Sequence, residues 1–157
     1  MTDWDELFRK SHFPLEEPQR QPAVLCDFLR DSDVRRIYDL GCSLGQNLMF
    51  LAERGFELYG TDLSETALMR AREKADGMKL RVELVKADMK SVLFIGSLFD
   101  AVICIYAIYH NPLNEMRRTT SEISRVLRPG GFTLVTFLRT RSCRHGKGIQ
   151  IESNTSV

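Results

Sequence analysis

The chain reads as an α/β domain built on a doubly wound, mostly parallel sheet, and three observations carry that expectation. Five short apolar runs recur along the chain, with helical patterns clear in most of the gaps between them, the order that crossover connections require. One run, Phe99-Asp100-Ala101-Val102-Ile103-Cys104-Ile105, is apolar apart from a single acid near its start, as a central strand covered on both faces must be. The stretch Arg36 to Ser64 orders strand, tight glycine turn, helix, second strand and carboxylate, a unit that binds a nucleoside at the carboxyl end of a parallel sheet.

The 157 residues leave room for one domain with a sizeable core. A net charge of +1, with 43% hydrophobic and 27% charged residues, gives no argument for a nucleic-acid or membrane partner. No apolar stretch approaches transmembrane length, and the start Met-Thr-Asp-Trp-Asp-Glu is unlike a signal peptide. Cys26, Cys42, Cys104 and Cys143 show no metal spacing, and Cys42 and Cys104 read as small apolar fillers in a reducing cytoplasm. The three histidines lie far apart, so no metal site is expected.

In chain order, Trp4, Leu7 and Phe8 share one face of a short N-terminal helix. Ser11 to Pro22 holds three prolines and reads as extended or loop, followed by a helix from about Pro22 to Leu29. Ile37, Tyr38 and Leu40 form the first strand, broken by Asp39, and Gly41, Ser43 and Gly45 follow at alternate positions. Gly41 lets the chain turn sharply, and Gly45 lets the helix start sit close to strand and ligand. Leu48, Met49, Leu51 and Ala52 supply the helical pattern, which stops at Gly55. A second run, Phe56 to Tyr59, leads to Asp62, about 20 residues past the glycines, where a carboxylate accepts both ribose hydroxyl protons.

Ser64 is a fitting N-cap for a helix with the stripe Ala67, Leu68, Ala71 and Ala75, ending at Gly77. Leu80 to Val85 alternates apolar with charged residues, as a partly exposed edge strand does. The central strand from Phe99 runs into Tyr106-Ala107-Ile108-Tyr109-His110, where side chains reach the mouth of the site. Asn111-Pro112 reads as N-cap and first helical position, with Met116, Thr120, Ile123 and Leu127 as the buried stripe. Arg128-Pro129-Gly130-Gly131 ends that helix, and Phe132 to Phe137 is the fifth strand.

The ligand's charge can be argued from Asp39. An anionic pyrophosphate over this turn would be repelled by a carboxylate two residues away, whereas a cationic sulfonium would not. Asp39-Leu40-Gly41-Cys42-Ser43-Leu44-Gly45 resembles the glycine-rich motif of the class I S-adenosylmethionine-dependent methyltransferases, which carry glycine where Ser43 stands. Helix, Leu-Arg-Pro-Gly-Gly turn, then strand is a second resemblance to that family.

The resemblance implies a Rossmann-like sheet of order 3-2-1-4-5, with S-adenosylmethionine at the switch between the first and fourth strands. It assigns cofactor contacts to Asp39, Gly41, Cys42, Ser43, Gly45 and Asn47, to Asp62 and Leu63, to Asp88 and Met89, and to Ile105. Asp88 would meet the adenine amino group, or else serve as a solvated carboxylate or cap. In many relatives an N-terminal segment folds over the cofactor. The Trp4 helix could do so here or could simply be anchored on the core.

Methyl transfer from a sulfonium is an in-line displacement in which the protein mainly aligns the partners. A general base is needed only if the acceptor must lose a proton, and Tyr106, Tyr109 and His110 are the candidates, each equally readable as pocket wall. His12 is a weaker candidate. The expected reaction is methylation of a small molecule, with S-adenosylhomocysteine as product. Cofactor binding without turnover is the alternative, and a nicotinamide-dependent oxidoreductase is disfavoured by Asp39 and the Pro-Gly-Gly turn.

The resembled domain normally has seven strands, and here Val157 follows about twenty residues after the fifth, which suggests a C-terminally shortened form. Residues 1–34 would be a helical cap, 35–138 the cofactor-binding core and 139–157 an incomplete end. The Phe132 to Phe137 strand would then be an apolar edge, to be covered by the C-terminal segment or by a second copy in a homodimer. The run from Arg139 to Lys147, with four basic residues and no acid, reads as a solvated loop, with phosphate or RNA binding as the alternative.

Overall fold

A computed structural model describes residues 3–10, 20–137, 150–152 and 155–156. Helices α1 (Trp4–Lys10) and α2 (Arg20–Asp31) precede β1 (Arg36–Leu40), α3 (Gln46–Ala52), β2 (Glu57–Asp62), α4 (Glu65–Gly77) and β3 (Val82–Lys86). There follow β4 (Phe99–Cys104), a 3₁₀ turn at Ile108–His110, α5 (Leu113–Val126) and β5 (Leu127–Val135). The five strands pair in parallel in the order β3-β2-β1-β4-β5, as expected. Two further short strands, β6 (Gln150–Glu152) and β7 (Thr155–Ser156), pair only with each other, so among the described residues β5 is an edge of the main sheet. The remainder of the proline-rich stretch, His12, Cys143 and the basic run lie outside the described residues.

Alternation along the strands sorts the core into two layers. Ile37, Leu58, Ala101 and Ile103 face α2, α3 and α4 and pack on Leu48, Leu51, Leu68 and Ala71. Tyr38, Leu40, Val102 and Cys104 face the other way and pack on Ile108, Ile123 and Val126. A sheet buried on both faces leaves only its strand ends for a ligand, so chemistry is confined to the carboxyl end.

Three helices end in the same way. After α3, the Gly55 amide donates to Ala52 and that of Phe56 to Leu51, with Gly55 at φ 88°, a left-handed stop. After α2 the left-handed residue is Asp33 (φ 54°). After α4 it is Lys79 (φ 56°), whose amide donates to Asp76 while that of Leu80 donates to Ala75. Gly77, expected as the stop, is instead the last helical residue. A Cβ costs about 1–2 kcal/mol in this conformation, against about 0.5–1 kcal/mol for the extra chain entropy of glycine. Lys79→Gly should therefore raise stability by about 0.5–1 kcal/mol in urea denaturation, and a loss would contradict it.

Several local expectations shift. β2 continues through Gly60 and Thr61 to Asp62, so the carboxylate belongs to the strand. Helix α2 begins at Arg20, inside the stretch expected to be loop. Pro112, not Asn111, is the N-cap of α5, its extended ψ of 156° leaving the helix to start at Leu113. The buried stripe accordingly turns onto Thr119, Ile123 and Val126, and Thr120 is exposed. On α1 the buried residue is Phe8, with Leu7 exposed. β5 starts before the Pro-Gly-Gly segment: Leu127 pairs with Phe99, and the chain bulges before Phe132 pairs with Ala101.

Candidate functional site

The turn after β1 is built on left-handed backbone. Gly41 (φ 78°) lets the Gly41 and Cys42 amides donate to one carbonyl, that of Thr61, at 2.8 and 2.9 Å. A Cβ at Gly41 would stand 2.6 Å from the Ala107 Cβ, so only glycine lets the loops after β1 and β4 approach this closely. Ser43 takes φ 52°, a conformation that glycine adopts without strain. Its amide donates to Asp62 Oδ2 and the Ser64 amide to Asp62 Oδ1, both at 2.9 Å. One carboxylate at the end of β2 thus ties down both the β1 turn and the entry to α4.

A cavity of about 280 Å³ opens over this turn, at the carboxyl ends of β1, β2 and β4. Gly41, Cys42, Ser43 and Asn47 line it from the turn and the start of α3, and Asp62 and Leu63 from the end of β2. Met89 follows β3, while Ile105, Tyr106 and His110 follow β4. These ten expected site residues are therefore brought together. The sheet alone could do this, because strands adjacent in space deliver loops that are distant in sequence.

Four expected residues stand elsewhere. Asp39 lies behind the turn, 1% exposed, on the face that packs against α3 and α4. Gly45 lies outside the cavity lining and lets α3 pack closely on α4: a Cβ there would meet Ala71 and Met49 at 3.1 Å. Asp88 is turned to Lys90, Oδ2 to Nζ 3.3 Å, in a pairing that Lys90 shares with Glu115 at 2.9 Å. Tyr109 is buried behind His110, the ring centroids 4.5 Å apart.

Burial governs the titrating groups. It pushes the Asp39 carboxyl up to about 8, with the Asp62 carboxylate adding to the effect, and Asp39 Oδ2 has no hydrogen-bond partner. Burial therefore weakens the negative charge that Asp39 presents to a ligand over the turn near neutral pH. Asp62 is also raised by burial, against the opposing Ser64 and Ser43 amides. Burial, then the Asp39 and Asp62 charges, raises the Cys42 thiol well above its ordinary value, so this cavity-lining cysteine is not a nucleophile at neutral pH.

The cavity also takes Leu44, Gln46, Thr61, Ala87, Ala107 and Asn111, which sequence reasoning did not single out. Ala87 and Ala107 are small, chemically silent residues placed by strand register, with nothing in the sequence to mark them. Trp4 and Phe8 reach the cavity from α1, and Phe8 packs on Leu44 and Ala67. Trp4 sets its ring edge-on to His110 with centroids 4.9 Å apart. Tyr106 is bulky yet holds φ 57°, its amide donating to Thr136 Oγ1 at 2.6 Å, and strain of this kind concentrates at functional sites.

A parallel sheet whose order reverses beside such a turn, with a carboxylate at the next strand end, defines a nucleoside-binding α/β domain. The model of the methyltransferase-domain family matches residues 37–131. The chain belongs to that family, the class I S-adenosylmethionine-dependent methyltransferases.

Among curated relatives, YqeM of Bacillus subtilis (strain 168) is 36% identical over 101 residues, 63% of this chain and 40% of that one. Methyltransferase GfsG of Streptomyces halstedii is 30% identical over 122 residues, 75% of this chain and 43% of that one. Among solved structures, S-adenosylmethionine-bound CalS10, an amino pentose methyltransferase from Micromonospora echinaspora, superposes with a TM-score of 0.65 at 27% identity, covering 86% of this chain and 56% of that one. The chain spans less than half the length of the curated relatives it matches.

Proposed function

We propose that the chain binds S-adenosylmethionine in the cavity over the β1 turn and directs methyl transfer to a small-molecule acceptor. The observation that carries this reading is convergence: the left-handed turn Gly41–Ser43, the Asp62 carboxylate and the residues after β4 all face one cavity. The residues fit the cofactor. Each Asp62 oxygen accepts one amide and keeps a lone pair for a ribose hydroxyl. Leu63, Met89 and Ile105 supply apolar wall for a base. Asp88, committed to Lys90, is given no part.

The sulfonium supplies an already activated methyl group. What remains for the protein is alignment of the acceptor and exclusion of water. Trp4, Tyr106 and His110 also line the cavity, and of these the His110 imidazole could take up a proton if the acceptor must lose one. Small-molecule acceptors are supported by CalS10, whose substrate is an amino pentose.

S-adenosylhomocysteine at ten times its Kd should stabilise the chain by about 1.4 kcal/mol, a Tm rise of about 3–6 °C. A methyl-release assay with candidate acceptors then separates turnover from binding alone. A thermal shift with NADH and none with S-adenosylmethionine or S-adenosylhomocysteine would overturn the reading.

A further inference from the structure

Helix α1 does more than pack on the core, and the residue that holds it is Asp5. Its Oδ1 accepts the Ser64 hydroxyl at 2.9 Å and the Thr66 amide at 2.8 Å, while Oδ2 accepts Arg9 Nη2 at 2.8 Å. Thr66 lies in the first turn of α4, a 13-residue helix whose leading amides have no intrahelical partner. Ser64, the N-cap, satisfies the Ala67 amide through Oγ at 3.1 Å. Asp5 satisfies the Thr66 amide from a segment some sixty residues away in sequence. A helix is thus capped by two residues, one of them belonging to another helix. The anion also sits at the positive end of the α4 dipole. The Thr66 amide first, then the Ser64 hydroxyl, hold the Asp5 carboxyl far below its ordinary range, so the contact persists at any physiological pH.

Two facts give this contact a functional direction. Trp4 and Phe8 flank Asp5 on α1 and both line the cavity, Trp4 edge-on to His110 and Phe8 against Leu44 of the turn. The same Ser64 whose hydroxyl binds Asp5 gives its amide to Asp62, and Asp62 in turn holds Ser43. A continuous relay, Asp5 to Ser64 to Asp62 to Ser43, joins the α1 latch to the carboxylate assigned to the ribose. With α1 in place the cavity of about 280 Å³ lies just below the range of about 300–1,000 Å³ typical of ligand sites. Trp4 and Phe8 form part of its wall, so the position of α1 sets how open it is.

We propose that Asp5 is a positioning residue for the cofactor site: by capping α4 from outside it latches α1 as a lid over the cavity and sets how long the cofactor stays bound. This rests on the function proposed above. The test uses the whole chain and S-adenosylhomocysteine as probe, with calorimetry for binding and stopped-flow emission of Trp4, the single tryptophan, for lid motion. Binding should change Trp4 emission and slow amide exchange across Trp4–Lys10. Asp5→Asn should raise the dissociation rate about tenfold or more, while Asp5→Glu restores most of it.

A merely structural cap would lower the unfolding midpoint of Asp5→Asn without changing that rate. Dissociation within twofold of wild type, or amide exchange of α1 unmoved by the probe in the wild-type chain, would overturn the latch while leaving the function standing. No binding heat with wild type would overturn both.

Discussion

Asp39→Asn should leave stability unchanged near pH 4 and raise it by about 3–5 kcal/mol at pH 8. The wild-type carboxyl, buried and beside Asp62, is pushed up to about 8 in the folded chain, from an ordinary value near 4 when unfolded. Below pH 4 both states hold the proton, and the group's full contribution to folding is present. Between pH 4 and 8 the unfolded chain ionises and the folded chain does not, so the unfolded state binds fewer protons and stability falls at up to about 1.4 kcal/mol per pH unit. Above pH 8 the folded group ionises too and the slope vanishes.

An amide has the shape of the protonated carboxyl and never ionises, so the variant escapes this loss. Glu57 and Glu122 act in the opposite sense, because hydrogen bonds from Tyr59 and Arg125 hold them below their ordinary values and their contribution is lost as pH falls. Wild type should therefore be most stable in mildly acid solution. The difference between variant and wild type isolates Asp39. Urea denaturation at pH 4, 6 and 8 measures it, and a difference independent of pH would refute the burial argument.

Asp62→Ala should weaken S-adenosylhomocysteine binding by about 3 kcal/mol, on the order of 10²-fold in Kd. Two losses combine. The ribose hydroxyls lose their acceptor, and the Ser43 and Ser64 amides lose theirs. Ser43 at φ 52° is then held only by the backbone turn that the Gly45 amide closes onto the Cys42 carbonyl, and the cavity floor loosens. The same variant should be less stable by about 2–3 kcal/mol, because stranded amides in a mostly buried turn carry a desolvation penalty. Asp62→Asn keeps one acceptor and should fall between the two. Calorimetric titration decides: an affinity for Asp62→Ala within threefold of wild type would remove Asp62 from the cofactor site.

Much of this was legible in the chain itself. Strand and helix existence follow from local period: the run at Phe99–Cys104 and the Ala67, Leu68, Ala71, Ala75 stripe needed no partner to be recognised. The turn chemistry of Gly41, Ser43 and Gly45, with Asp62 following, pointed to the carboxyl end of the sheet, where the cavity opens, since spacing along a chain is what sequence records. Helix stops were less legible. Lys79 rather than Gly77 takes the left-handed position after α4, because the hydrogen bonds back to Ala75 and Asp76 outweigh the local preference for glycine.

What required the folded chain were facts that depend on distance and dielectric. Asp39 reads as an ordinary carboxylate in the sequence, and only its place between a sheet and two helices pushes it up to about 8. Asp88 stood in a cofactor position by spacing, and only the approach of Lys90 shows its carboxylate engaged elsewhere. Trp4 and Phe8 reach the cavity, and Asp5 caps α4, across about sixty residues of sequence. Local pattern decides which backbone conformations are favourable, whereas burial and charge pairing arise only when remote segments displace water from one another.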